Sequence, residues 1–135
     1  TVAGAVERAR ALPEISADPG ELREALVNLV LNACEAMVEG GRLRIREETG
    51  VLEPHGRIVA LRVSDSGPGV DPALFESVFQ PFFTTKGEGS GLGLPIVKRI
   101  VEEHGGWITI QSPPGDGTTF TMVFPCEGER GWHRS

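Results

Sequence analysis

The chain has 135 residues, 13 Lys and Arg against 19 Asp and Glu, and a formal net charge of −6. That length suits one domain with a real core, and the acidity argues against a nucleic-acid surface. With no run of 18 apolar residues and no charged-then-apolar leader, no membrane span or targeting segment is expected.

Cys34 and Cys126 have neither metal-type spacing nor a disulfide framework, so they are read as free thiols in a reducing compartment. The start at Thr1 without Met suggests a piece of something longer. Val2, Ala5, Val6 and Ala9 recur at helical spacing, predicting a short helix or linker over 1–12 that Pro13 stops. Glu14-Ile15-Ser16-Ala17 is a candidate edge strand. Asp18, Pro19 and Glu21 then supply a cap, a first-turn proline and a first-turn acid, a strong helix start.

The helix is predicted from Pro19 to about Val38, with Leu22, Leu26, Leu29, Val30, Ala33 and Met37 as its apolar face. Glu24, Asn28 and Asn32 stack four apart on another face. Asparagine competes with the backbone inside a helix, so this pair either lines a solvated face or does chemistry. In the second case the Asn32 amide oxygen ligates Mg²⁺, a hard cation that takes oxygen ligands and substrate phosphates, and Asn28 touches phosphate. Gly40-Gly41 ends the helix.

Arg42-Leu43-Arg44-Ile45-Arg46 alternates strictly, predicting a strand with one dry face and one wet, basic face. Glu47 to Gly56 is expected as a loop that carries His55 toward solvent. Arg57 to Ser64 is apolar enough on both faces for a central strand. The two strands suggest an antiparallel hairpin whose far end delivers Asp65 into a turn with Gly67 and Gly69. A lone carboxylate there can accept from an exocyclic amine such as that of adenine.

After Asp71-Pro72 a helical turn carries Leu74, Phe75, Val78 and Phe79. The stretch from Pro81 to Lys86 is too aromatic and interrupted for a helix or a central strand. It is either a hydrophobic plug under a loop or a lid hinge, anchored by Phe82 and Phe83, from which Lys86 reaches toward phosphate. The loop G-E-G-S-G-L-G-L runs into an amphipathic helix over 94–104, and a glycine loop opening a helix presents backbone N–H groups to phosphate. His104, before a glycine pair, fits packing or a helix end better than a nucleophile. Strands over Trp107–Gln111 and Thr118–Phe124 follow, joined by P-P-G-D-G. The polar tail over 126–135 is expected to fray, with Trp132 able to dock. Paired strands separated by helices give a two-layer α/β (α+β) sandwich, its mixed, mostly antiparallel sheet covered on one face by helices.

Four motifs stand in order: N-L-V-L-N-A (28–33), D-S-G-P-G (65–69), F-Q-P-F-F (79–83) and G-S-G-L-G-L (89–94), with G-T-T-F-x-x-x-x-P closing at 117–125. Together they resemble the ATP-binding catalytic domain of sensor histidine kinases, in the superfamily shared with type II topoisomerases and heat-shock chaperones. The likeness runs from about Pro13 to Pro125 and implies a Bergerat-type ATP-binding fold over 13–125. It implies that Asp65 bonds the adenine amine while Gly67 and Gly69 let the ring lie close. Asn32 would hold Mg²⁺ and Asn28 would sit against the phosphates of ATP or ADP, both as catalytic residues. Gly89, Ser90, Gly91, Leu92, Gly93 and Leu94 would form the turn that meets phosphate, with Lys86 and Thr119 as further nucleotide contacts. Only Gly87 and Glu88 separate Lys86 from that turn, so the lid would be short.

The superfamily's ATP hydrolases carry a general-base Glu one turn before the metal-binding Asn. Asn28 stands there in this chain, and Glu24 lies a turn too early. That favours phosphotransfer to a histidine over hydrolysis. None of His55, His104 and His133 lies on a long helix followed by an acid, so the resemblance implies a phosphoacceptor on a separate dimerisation domain. It also implies a downstream response regulator, a cytoplasmic location, and no nucleic-acid or membrane contact by this segment. Only twelve residues precede Pro13, so the family's usual strand there is expected to be missing or replaced, leaving the sheet one strand short or its edge completed by a partner chain. A nucleotide-binding regulatory module, or a related serine kinase or ATPase, are the alternatives.

Overall fold

A computed structural model of the chain describes residues 18–81 and 93–126. The expected helix over 1–12, the Glu14–Ala17 strand, the Phe82–Lys86 segment, most of the glycine loop and the tail beyond Cys126 lie outside the described residues.

Helix α1 spans Pro19–Ala36. Its start follows from local chemistry: Asp18 Oδ1 accepts from the Gly20 and Glu21 N–H groups at 2.8 and 3.0 Å, with Pro19 in the first turn. It stops two residues short of Val38, which is 85% exposed and has nothing apolar to pack on.

Strands β1 (Leu43–Leu52) and β2 (Gly56–Asp65) form a hairpin in continuous register from Leu43 opposite Asp65 to Leu52 opposite Gly56. The stretch Glu47–Leu52, expected as loop, is therefore strand. Its own alternation is poor, and the cross-strand ladder to β2 overrides that weak local preference. Two 3₁₀ turns, Pro72–Leu74 and Ser77–Phe79, lead away from β2. Helix α2 spans Gly93–Glu103, followed by β3 (Trp107–Gln111) and β4 (Thr118–Pro125). The described strands are all antiparallel, in the order β1-β2-β4-β3.

Register decides which side chains share a face. Leu61 and Val63 of β2 stand opposite Met122 and Phe120 of β4, and all four pack under both helices against Leu26, Leu29, Val97 and Ile100. These side chains are fully or nearly fully buried. Truncating any one of the leucines to Ala would cost about 2–5 kcal/mol. Two layers result, as expected: helices on one face, the sheet beneath.

His104 ties the layers' ends together. Its Nδ1 lies 2.8 Å from the Ile100 carbonyl and its Nε2 accepts the Asp18 N–H at 3.1 Å, so the end of α2 holds the start of α1. Its ring also meets Phe124 edge-on. Cys126, expected in the frayed tail, is instead 1% exposed, and its N–H donates to the Arg57 carbonyl at 2.8 Å. The β2–β4 pairing carries it one residue past the strand. Neither cysteine forms a disulfide; Cys34 is exposed and Cys126 buried.

Candidate nucleotide site

Asp65 closes β2 on the helix face of the sheet, 7% exposed and directly opposite Thr118. Its Oδ1 accepts from the Gly67 N–H at 2.8 Å, which fixes the carboxylate in an Asx-type turn. Gly67 presses on the end of α1: a Cβ there would stand 3.1 Å from the Ala36 carbonyl oxygen and 3.3 Å from the Ala36 Cβ. Gly69, at φ +89°, would place a Cβ 2.8 Å from the Ser112 hydroxyl. Only glycine suits both the conformation and the space.

Ser112, buried, is the brace behind this turn. Its Oγ accepts from the Val70 N–H at 2.7 Å and donates to the Gly117 carbonyl at 2.8 Å. Gly117 in turn has φ +70°, and a Cβ on it would overlap the Asp65 carbonyl. Gly117 opens the G-T-T-F motif, but Ser112 does not stand out in the sequence, because its hydroxyl acts through backbone groups that only the folded turn brings near.

Thr119 is not brought to this place. It points to the opposite sheet face, where its hydroxyl lies 2.8 Å from that of Ser64. Thr118 is the residue beside Asp65, 4% exposed, with its Oγ1 3.2 Å from Ser112 Oγ. Two adjacent threonines in G-T-T-F carry the same local signal, and only the pairing register separates them.

At the other end, Asn28 meets the start of α2. Its Nδ2 donates to the Glu24 carbonyl at 2.9 Å, and its Oδ1 would stand 3.2 Å from a Cβ on Gly93. An amide oxygen cannot bond a phosphate oxygen directly. A cation between them, or a turned amide that releases Glu24, would satisfy both. Asn28, Asn32 and Ala36 follow one another at four-residue intervals, so they form a row about 12 Å long on α1. Gly67 touches one end of that row and Gly93 the other, with half-buried Asn32 between. The first-turn N–H groups of α2 open at the Asn28 end. Leu94 packs on the core, and Phe79 meets Phe120 edge-on at 6.0 Å. Lys86, Gly89, Ser90, Gly91 and Leu92 lie outside the described residues.

A sandwich with a glycine-flanked carboxylate at the sheet end and a glycine-opened helix at the other end of the α1 row is that of an ATP-binding domain. The chain belongs to the histidine kinase-, DNA gyrase B- and HSP90-like ATPase family, whose model matches residues 17–128. It is 44% identical over 114 residues to the sensor histidine kinase ZraS of Escherichia coli (strain K12), covering 84% of this chain and 23% of that one. Mycobacterial sensor histidine kinase MprB has a similar structure, with TM-score 0.70 and 30% identity over 93% of this chain and 91% of that one. So does full-length ShkA in complex with AMPPNP, with TM-score 0.72 and 28% identity, covering 93% of this chain and 29% of that one. The chain spans about a quarter of the length of the first curated relatives it matches. It is the catalytic ATPase domain of the sensor histidine kinase type. Among the described residues, no helix is long and apolar enough to cross a membrane.

Proposed function

We propose that this domain binds Mg·ATP and transfers the γ-phosphoryl group to a histidine on a separate dimerisation domain, from which a response regulator is served. The observation that carries this is the α1 row, with the Asp65–Gly67 turn at one end and the Asn28–Gly93 approach at the other.

In this reading Asp65 accepts from the purine amine, and Gly67 and Gly69 let the ring lie against the backbone. The phosphates point toward the opening of α2, where first-turn N–H groups and its dipole favour negative charge. The Asn32 amide oxygen would hold Mg²⁺, a hard cation that takes such donors, and Asn28, whose amide already stands beside Gly93, would turn its N–H groups toward the phosphates. When bound, the metal neutralises charge on the β- and γ-phosphates.

The chain's own contribution is positioning and exclusion of hydrolysis. Asn28 occupies the place where a carboxylate would take a proton from water, and Glu24 is exposed. The acceptor histidine nitrogen attacks phosphorus, the bond to the bridging oxygen breaks, and ADP leaves. Residues 13–125 form the working domain in this account, and its setting is the cytoplasm.

Labelled ATP with a histidine-bearing dimerisation domain from a related sensor kinase tests this. An acid-labile phosphoprotein supports it. Binding without transfer would make the chain a regulatory module, and steady phosphate release without acceptor would make it an ATPase.

A further inference from the structure

The sheet face turned away from the helices has a different chemistry. Arg44 and Arg46 project from β1 onto it, Arg42 continues the same alternation, and Arg62 joins them from β2. Strand geometry sets neighbouring β1 arginines about 7 Å apart, in a row about 14 Å long. Beyond the row the described residues of this face are uncharged: Ser64 and Thr119 are half-buried, Thr121 is buried, and Ile58, Ala60 and Val123 form a buried apolar cluster with Trp107 against it.

Arg46 lies directly across from Arg62. Like charges in that relation disfavour strand pairing, and a sheet selected only for stability would put a carboxylate or a threonine there. Relief reaches Arg62 directly and Arg46 only weakly, through the charge of Glu48. Glu48 bonds Arg62 Nε at 2.8 Å, and Arg62 Nη1 donates to Thr121 Oγ1 at 3.1 Å. Arg42, Arg44 and Arg46 are exposed, and among the described residues no carboxylate forms an ion pair with them. A chain of net charge −6 therefore gathers four guanidinium groups on one face, against the single carboxylate of Glu48 among the described residues there.

We propose that the exposed arginine edge of this face docks an acidic protein surface, in its simplest form a helix with carboxylates at every fourth residue. Such carboxylates repeat about every 6 Å along the helix, close to the arginine spacing. Guanidinium forks take carboxylates in paired hydrogen bonds. A nucleic acid fits less well: it would meet an acidic molecule along a short track. The face lies on the other side of the sheet from Asp65, so its test and that of the nucleotide site are independent.

The full chain titrated with a designed helical peptide carrying Glu at every fourth position, and with its Gln counterpart, provides the test. Backbone amide shifts should be confined to residues 42–48, 62–64 and 119–121. Affinity should fall about tenfold or more as salt rises from about 50 to about 300 mM. Arg44→Glu should weaken binding at least about tenfold, since it turns one attraction into repulsion. Arg46→Thr should weaken binding while leaving the Tm unchanged or higher. Equal binding of the Gln peptide, shifts elsewhere, or tighter binding of duplex DNA or phosphatidylserine vesicles at this face would overturn the proposal. So would a lower Tm for Arg46→Thr, which would assign the row to folding.

Discussion

Asn28 and Gly93 stand so close that a methyl group on Gly93 would lie 3.2 Å from the Asn28 amide oxygen. Two helices distant in sequence thus meet where the phosphates are proposed to sit. Gly93→Ala should leave apo stability within about 1 kcal/mol, because the helix gain from alanine offsets a slight displacement of the amide. Affinity for Mg·ATP should fall by about tenfold to a hundredfold, the loss of one hydrogen bond to a charged group. Calorimetric titration with Mg·ATP, alongside thermal melts without it, separates the two effects.

Asp65 gives the sharpest test of the purine seat. Mg·ADP at a hundred times its Kd should stabilise the domain by about 2.7 kcal/mol, a Tm rise on the order of 10 °C for a chain this size. Asp65→Asn should abolish that rise, since the amide presents N–H groups where the purine amine needs an acceptor. An unchanged shift would remove Asp65 from the site.

The neighbouring threonines should behave oppositely. Thr119→Val loses only its hydroxyl contact with Ser64 on the far face and should leave ADP affinity unchanged. Thr118→Val alters the wall beside Asp65 and should weaken ADP. Ser112→Ala strips partners from the Val70 N–H and the Gly117 carbonyl, at a cost of about 1–3 kcal/mol. It should also weaken ADP by loosening the turn. Melting curves and ADP titrations of the three variants check this ordering.

Glu48 provides a pH signature on the arginine face. The hydrogen bond from Arg62, then the charge of Arg62 and more weakly that of Arg46, holds its carboxyl below the usual glutamate value. The folded state thus favours the ionised form. Its contribution is full above the ordinary glutamate range and is lost as pH falls through the lowered value. The effect is small, because the pair is solvent-exposed and screened. The Tm of the wild type should exceed that of Glu48→Gln at neutral pH, and the gap should close in acid.

Local chemistry made much of this molecule legible in advance. Asp18 and Pro19 announce α1 because a cap and a first-turn proline act within four residues. Asp65 at a strand end and the Asn28–Asn32 spacing were visible for the same reason. Where the outcome depends on partners distant in sequence, local signals failed. Glu47–Leu52 looked like loop because its pairing with Gly56–Leu61 was out of view. Cys126 looked like tail because its bond to Arg57 spans the sheet. That Thr118 and not Thr119 stands beside Asp65 was out of view because face parity belongs to the register and not to the motif. Ser112 escaped notice because its hydroxyl serves two backbone groups that the chain folds to meet it.

One stretch of helix touches the turn beside Asp65 and the opening of α2 alike, so it works as a ruler between them. Its marks are set by helical pitch rather than by side-chain identity. Swapping a residue along it trades one contact for another. Inserting a single residue between Asn28 and Ala36 would swing everything beyond it by about 100° and aim the two seats past each other. Within the family, variation in this segment should therefore come as exchange and not as change of length.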